Sequence, residues 1–342
     1  MALVGTLNSQ NDFGFKNRLI NGAMNVWQRG TSFSAPATMT GFTADRWSAV
    51  WGTASRTYSQ QTGFSGFQYC NRAQVNSGAS AGWQGHAQII EYANMVDLAG
   101  QTVTLSFYAR CGANFSSSNG LQAYVVTGTT ADEGGGQYWS PGWTGVATAT
   151  SQQASVTTTA QRFSYTCTIP SNAKELIVGF QYLSVGTAGA NDWYEITGVQ
   201  LEKGSVATNF DWKPYGTELQ LCQRYFWKLA SAGDPNLFGI AASLSSNIDV
   251  IFYPTPSAVP MRTTPTVTTS AANTFGTWPG GSGGSNILGN TFYSVGPASP
   301  YPASNLPPSI EFMLALSSSP GTAVNRFGFR SASGYIQASA EL

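Results

Sequence analysis

The sequence has little charge and a single histidine. Only 9% of its 342 residues are charged, and 16 basic residues balance 16 acidic ones. The basic residues are scattered singly, without the patch that binds nucleic acid or an anionic membrane surface. We therefore expect no nucleic-acid binding. We also expect no membrane insertion, because no apolar run reaches the roughly 18 residues that span a bilayer.

Cysteine is scarce and dispersed. The four cysteines are Cys70, Cys111, Cys167 and Cys222. Their wide spacing excludes CxxC redox motifs and zinc ribbons, so we expect neither a metal nor a cofactor. Cys167 lies at an apolar position of a predicted strand, which favours a buried free thiol and assembly in a reducing cytoplasm. The segment 1–4 has no basic or apolar region of a signal peptide.

The side chains that catalysis requires do not cluster in the sequence. With His86 as the single histidine, no Ser-His-Asp arrangement is recognisable, and a polar strand or loop position is its favoured role. The closely spaced acids are Asp132 with Glu133, Glu91 with Asp97, and Asp192 with Glu195. A glycosidase needs two carboxylates about 5–10 Å apart across a cleft. The sequence does not place any of these acids across a cleft, so we predict no enzyme and no catalytic residue.

Alternation of apolar and polar residues dominates the chain. The segments 102–107 and 164–169 alternate strictly, which is typical of half-buried antiparallel strands. Residues 176–180 form a continuous apolar run, which favours a central strand. Clusters of Gly, Pro, Ser and Asn bound these segments. The pattern predicts an all-β protein with an N-terminal jelly-roll sandwich, a short helix and a second, C-terminal β-sandwich.

Four parts follow from this pattern along the chain. They are an N-terminal docking segment (1–16), the jelly roll (17–215), a connector helix (216–230) and a C-terminal β domain (231–342). The helix is predicted over 219–228, because Thr217 and Gln220 have the spacing of a capping box. In the last part we expect strands at 247–253, 312–316 and 326–330. The segments 274–290 and 297–308, rich in Gly, Ser or Pro, are predicted loops or partner-wrapping segments.

Four motifs carry a resemblance to a known family. They are residues 17–33 with 42–47, residues 195–204 with 207–210, residues 219–226, and residues 259–267 with 338–342. In this order they resemble the opening strand, the last strand and exit turn, the following helix and the C-terminal β domain of one class of protein. That class is the bacteriophage tail-fibre and virion surface proteins that contain a jelly roll similar to carbohydrate-binding modules.

The resemblance implies a virion fibre protein, most closely of the tail. By the same resemblance it is a homotrimer that docks on other virion proteins through residues 1–16 and binds a host-surface glycan without catalysis. Two alternatives stay open. One is a capsid decoration or head-fibre protein without a receptor role, and the other is a polysaccharide-degrading tail spike.

The loop 136–145 concentrates three aromatic residues between glycine and proline. Sugar rings stack their C–H faces on exposed indole and phenol rings, so Tyr138, Trp139 and Trp143 are the candidate ligand-binding residues. Alternatively, the loop folds over its own small cluster or is buried at a subunit contact. Other aromatics and acids have less specific roles: Trp27 and Trp47 are expected in the core, and Glu202 in solvent.

Overall fold

The computed structural model describes residues 15–35, 41–50, 55–117, 119–134 and 142–230 continuously, and shorter stretches further on. Those stretches are residues 261–263, 265–270, 335–341 and the strands of the second unit listed below. The chain divides into two compact units, Met1–Glu218 with Leu342 and Leu219–Glu341. Among the described residues, no helix has the length and apolar character needed to cross a membrane.

The described residues of the first unit form eleven strands and, between the fifth and the sixth strand, one short helix. The strands are β1 (Ser32–Ala35), β2 (Ser48–Val50), β3 (Arg56–Thr62), β4 (Tyr69–Val75), β5 (Trp83–Ile90), β6 (Thr102–Cys111), β7 (Leu121–Gly128), β8 (Ala147–Ala154), β9 (Gln161–Thr168), β10 (Glu175–Leu183) and β11 (Trp193–Lys203). Helix α1 (Tyr92–Met95) continues into a 3₁₀ turn, Val96–Leu98.

The strand order of this unit is that of a jelly roll. The first sheet runs β1-β3-β4-β11-β6-β9, and the second sheet runs β2-β5-β10-β7-β8. Every pairing in both sheets is antiparallel. Strands β4 to β11 alone reproduce the two four-stranded sheets of the fold, while β1, β2 and β3 extend its edges. The predicted jelly-roll sandwich is therefore confirmed.

The core lies between the two sheets, where the alternation predicted it. Val103, Leu105 and Phe107 of β6 are fully buried, and Phe107 meets Phe180 of β10 edge to face at 4.7 Å. Strand β10 is buried on both faces until its last residue, as expected for the continuous apolar run. Trp47 is also fully buried in this core.

The opening motif does not form the strand expected of it. Residues 17–28, called the strap below, are irregular, and the first strand starts at Ser32. The strap is nonetheless buried, because side-chain amides replace the ladder hydrogen bonds that a strand would make. Asn17 donates to the Val199 carbonyl at 3.0 Å, and Gln88 bonds both backbone groups of Ile20 at 2.8 Å. The strap thus closes the sandwich beside β11.

Gly22 sets how closely the strap approaches β11. A Cβ atom there would lie 2.1 Å from the Val199 carbonyl oxygen, while the Val199 amide donates to the Gly22 carbonyl at 2.9 Å. We expect Gly22→Ala to lower the free energy of unfolding by about 2–3 kcal/mol, because the strap must move off the strand. Urea denaturation measures this. Gly216→Ala, with open space around it, is the control and should change stability by less than about 1 kcal/mol. Equal stability of Gly22→Ala and wild type would contradict the prediction.

The connector helix is shorter and earlier than predicted. Helix α2 spans Tyr215–Gln223, so Thr217 lies inside it and the capping-box interpretation is wrong. The helix starts directly after Pro214, whose carbonyl accepts the Glu218 amide at 3.0 Å. Residues 226–230, expected in the helix, form strand β12 instead. Pairing with the last strand, β21 (Tyr335–Ser339), decides this, because long-range pairing does not depend on helical periodicity.

The second unit is built from antiparallel strands in two sheets. Its strands are β12 (Phe226–Ala230), β13 (Leu237–Leu244), β14 (Asn247–Phe252), β15 (Thr266–Thr269), β16 (Phe275–Trp278), β17 (Ser285–Asn286), β18 (Phe292–Ser294), β19 (Ile310–Ala315), β20 (Asn325–Phe329) and β21 (Tyr335–Ser339). The sheet orders are β12-β21-β15 and β17-β16-β20-β13-β14-β19-β18. The strands predicted at 247–253, 312–316 and 326–330 are confirmed. The predicted loop at 274–290 is wrong in part, because it contains β16, which pairs with β20, and β17. Residues 297–308 lie outside the described residues.

Candidate functional site

The predicted aromatic loop is only partly described. Tyr138 and Trp139 lie outside the described residues. Trp143 is 5% exposed and packs on the outer face of the second sheet with Ala87, Tyr124 and Ile177, and its indole N–H donates to the Gly134 carbonyl at 3.2 Å. This packing is against the sheet rather than within the loop itself. It leaves little of the Trp143 ring for a ligand.

A row of three charged residues crosses the outer face of the first sheet. Arg72 of β4, Glu195 of β11 and Arg110 of β6 are direct cross-strand neighbours, because β11 lies between the other two strands. All three occupy outward positions, opposite in phase to the buried Tyr194 and Ile196. The strand register therefore aligns the three side chains in one line across the sheet.

Glu195 holds both arginines in fixed positions. Its Oε1 accepts Nε of Arg72 at 2.8 Å and Nη2 of Arg72 at 2.5 Å, and its Oε2 accepts Nε of Arg110 at 2.6 Å. The Glu195 side chain is fully buried, whereas those of Arg72 and Arg110 are 21% and 30% exposed. Two guanidinium groups share one carboxylate, so one positive charge stays uncompensated at the surface.

Aromatic rings support both guanidinium groups. Arg72 stacks over the Trp193 indole at 4.0 Å, and Arg110 lies 4.6 Å from the centre of the Phe64 ring. The Trp193 indole lies over Gly112, where a Cβ atom would be 2.7 Å from Nε1. The absence of a side chain at Gly112 therefore makes room for the indole. Burial and the Glu195 carboxylate together raise the pKa of the neighbouring Cys70 thiol far above its usual range, which keeps it protonated.

The two arginines of this row line an open depression of about 390 Å³. Its lining comprises Arg72, Arg110, Cys111, Gly112, Ala113, Thr158, Asn191 and Trp193. The side chains of Thr158 and Asn191 are exposed, and among the described residues no partner meets their polar atoms or the Nη atoms of Arg110. The depression thus offers guanidinium, amide and hydroxyl groups beside an indole, a set that suits a polar ring-shaped ligand.

The closely spaced acids are each bound by their own partners. Asp192 accepts from Ser116 and Tyr182 on the inner side of the sandwich, whereas Glu195 points outward. Asp132 accepts the Tyr92 amide at 2.9 Å, and Glu133 accepts the amide and hydroxyl of Thr144 at 2.9 and 3.0 Å. In the remaining pair, Asp97 forms a two-pronged ion pair with Arg18 at 2.6 and 2.7 Å. Its neighbour Glu91 accepts the side-chain amide of Asn94 at 3.2 Å, so each of these six acids has a structural role.

His86 lies inside the sandwich rather than at the surface. It is fully buried, and its Nδ1 lies 2.9 Å from the Tyr194 hydroxyl, which in turn donates to the Phe180 carbonyl at 3.2 Å. The described part of the chain contains no group of three or more His, Cys, Asp or Glu side chains that could hold a metal ion.

The expectation of a solvated Glu202 is wrong. Its side chain is 3% exposed, because the exit turn after β11 folds back over the outer face of the first sheet. Glu202 accepts the Thr208 hydroxyl at 2.6 Å and the Gln200 amide at 2.8 Å. This turn covers one part of the outer face, while the depression beside Arg110 remains open.

Sequence reasoning missed the residues around this depression. Arg72 and Arg110 are 123 and 85 positions from Glu195, and no local motif links them. The alternation of side chains along each strand was the available signal. Arg110 and Glu195 each lie between apolar residues of their strands, so each could be placed on the outward face. Their mutual alignment depends on the register of three strands, which the sequence pattern does not give.

The comparisons with known proteins return solved structures only. No protein-family model matches the sequence, and no curated protein is significantly similar to it. A tailspike protein 4 domain of bacteriophage CBA120, described as enzymatically active, is 13% identical over 55% of this chain, with a TM-score of 0.34. The aligned part spans 21% of that tailspike chain.

Carbohydrate-binding modules are among the other matches. One from the β-sandwich superfamily, with promiscuous specificity, is 14% identical over 49% of this chain and 63% of its own, with a TM-score of 0.34. The xylan-binding CBM22-1 domain from Paenibacillus barcinonensis Xyn10C is 15% identical, and the alignment covers 51% of this chain and 95% of that domain, with a TM-score of 0.28. At these TM-scores the alignments carry no information about ligand or activity. The strand order itself defines the first unit as a jelly-roll β-sandwich.

Proposed function

We propose that this protein is a fibre protein of a bacteriophage particle, most closely of the tail, whose jelly roll adheres to a host-surface glycan without catalysis. The open depression beside Arg72, Arg110 and Trp193 is the observation that carries the binding role. Rigid strands fix its donors before a ligand arrives, which lowers the entropic cost of binding. The phage assignment rests on the four motifs of the sequence.

Absence of catalysis is part of the same proposal. It is supported by the acids, each of which already serves a structural hydrogen bond or ion pair in the described residues. A homotrimeric fibre, docked through residues 1–16 on other virion proteins, completes the proposal. Sedimentation of the purified protein tests the trimer, and a monomer at micromolar concentration would contradict it.

Binding of the labelled protein to bacterial cells tests the adhesive role and locates the surface. We expect Arg110→Gln to weaken binding to susceptible cells at least about tenfold, since charge-assisted hydrogen bonds are lost. Lys174→Gln is the charge-matched control, because the turn that precedes it contacts Gly100 at the opposite end of β6. Trp139→Ala tests the aromatic loop in the same assay. If neither variant at these two surfaces differs from wild type, the proposed adhesive surfaces are wrong.

The two alternatives give different results on the intact particle. Electron microscopy with an antibody against this protein places it on the tail for the proposed function and on the capsid for a decoration or head-fibre protein. Incubation with the bound polysaccharide separates a tail spike, because only a depolymerase shortens the chains. Chain shortening would overturn the non-catalytic part of the proposal.

A further inference from the structure

The charge balance of the depression restricts the kind of sugar it fits. Arg72 and Arg110 contribute two positive charges, and Glu195 beneath them contributes one negative charge. Among the residues that the structure describes, no other charged side chain lines the depression. A net charge of one positive unit therefore faces the ligand. Three neighbouring strands fix the positions of the side chains that carry it.

The unused hydrogen-bond donors lie on the same side as this charge. Each arginine uses its Nε toward Glu195, and Arg72 also uses Nη2. In the described structure, both Nη atoms of Arg110 and Nη1 of Arg72 meet no acceptor. A guanidinium presents such donors in a planar fork that matches a carboxylate.

Glu195 also prevents collapse of the site. Without its carboxylate, the two guanidinium groups, which reach toward the same position from the strands on either side of β11, would repel each other and turn to solvent. With it, and with Trp193 and Phe64 against the guanidinium faces, both groups stay in place when no ligand is bound. The ligand meets a prepared anion site rather than two mobile side chains.

Resting on the proposed glycan-binding function, we infer that the depression binds a sugar residue that carries one carboxylate, such as a hexuronate. The carboxylate pairs with the free Nη donors of Arg110, and the ring hydroxyls meet Asn191 and Thr158. The volume of about 390 Å³ lies at the lower end of ligand pockets and suits one or two sugar rings. A neutral sugar would leave the positive charge unpaired and bind more weakly.

Saturation-transfer NMR on the full chain tests the inference with two matched probes, methyl glucuronide and methyl glucoside. We expect transfer to the glucuronide with an apparent Kd in the millimolar range, and affinity for the glucoside at least about tenfold weaker. Salt should weaken the glucuronide interaction, because screening acts on the charge pair. Arg110→Gln should abolish the preference, while Lys174→Gln should keep it.

A second variant guards against loss of folding. Arg110→Lys keeps the ion pair with Glu195 and removes the planar fork, so we expect a folded protein with at least about threefold weaker glucuronide binding. Equal binding of the two sugars, absence of transfer to the glucuronide, or an unchanged preference in folded Arg110→Gln would each overturn the inference. A stronger response to glucose 6-phosphate than to the glucuronide would overturn the carboxylate assignment. Adsorption to cells is measured separately, so it tests the proposed function independently of the result with the two sugars.

Discussion

Replacement of Asn21 by alanine should lower the free energy of unfolding by about 4 kcal/mol, the largest effect we expect from a single side chain of the strap. The Asn21 side chain is fully buried and uses all of its hydrogen-bonding capacity. Its Nδ2 donates to the carbonyls of Val26 at 2.9 Å and Asp45 at 3.0 Å, and its Oδ1 accepts the amides of Asn25 at 2.8 Å and Val26 at 3.0 Å. Alanine leaves four backbone groups without these partners.

The backbone at Asn21 adds to this effect. Its φ of +57° lies in the left-handed region, which asparagine tolerates better than alanine does. Asn21→Gly relieves that strain and keeps the loss of hydrogen bonds, so it should be about 1 kcal/mol less destabilising than Asn21→Ala. Urea denaturation measures both variants, with the exposed Asn172→Ala as a control near wild-type stability. A loss of less than about 1 kcal/mol for Asn21→Ala would contradict the stabilising role of the strap.

Acidification should destabilise the protein through His86. Burial lowers the pKa of this imidazole to about 3 in the folded state, from an ordinary value near 6.5. The folded pKa is depressed, so the neutral ring contributes full stability above about pH 6.5, and that contribution falls as the pH decreases toward 3. At pH 4.5 the loss amounts to about 3 kcal/mol, because the unfolded chain binds a proton that the folded protein excludes.

The single histidine makes this measurement direct. The one imidazole C2–H signal in the NMR spectrum belongs to His86, and we expect no titration of it in the folded protein between pH 8 and about pH 5. Urea denaturation at pH 7 and pH 4.5 gives the stability change. His86→Gln separates it from the acid titration of carboxylates, since the variant should lose about 3 kcal/mol less than wild type over that range. A histidine signal with its midpoint near pH 6.5 would show that the ring is accessible and would contradict the prediction.

Both predictions concern buried polar residues that the sequence places only coarsely. The sequence predicts a polar strand or loop position for His86, but it does not show that the residue faces the inside of the sandwich. The inner face of β5 is polar at Gln84, His86 and Gln88, all fully buried or nearly so. The strap explains one of these, since Gln88 satisfies the backbone of Ile20. A buried polar position breaks the apolar pattern from which burial is inferred, so alternation alone does not place it on the inner face.

The helix error has a different physical origin. Thr217 and Gln220 have capping-box spacing, yet helix α2 begins at Tyr215, directly after Pro214. Proline fixes its own backbone angle and is well tolerated at a helix start, which outweighs the local cap signal. Residues 226–230 then pair with β21, more than a hundred positions later in the chain. Tertiary pairing overrides helical periodicity there.

The sequence by itself determined the all-β class, the antiparallel sandwich and the inward faces of β6 and β9, because a period of two is a local property of the chain. It also limited the chemistry, since one histidine and dispersed cysteines offer few catalytic or metal-binding combinations. Only the tertiary structure decided that Arg72, Glu195 and Arg110 lie in one row beside Trp193. It also decided that the strap is buried against the sandwich without forming a strand. Cross-strand register joins residues more than eighty positions apart, and that information resides in the packing of the whole sheet rather than in any segment.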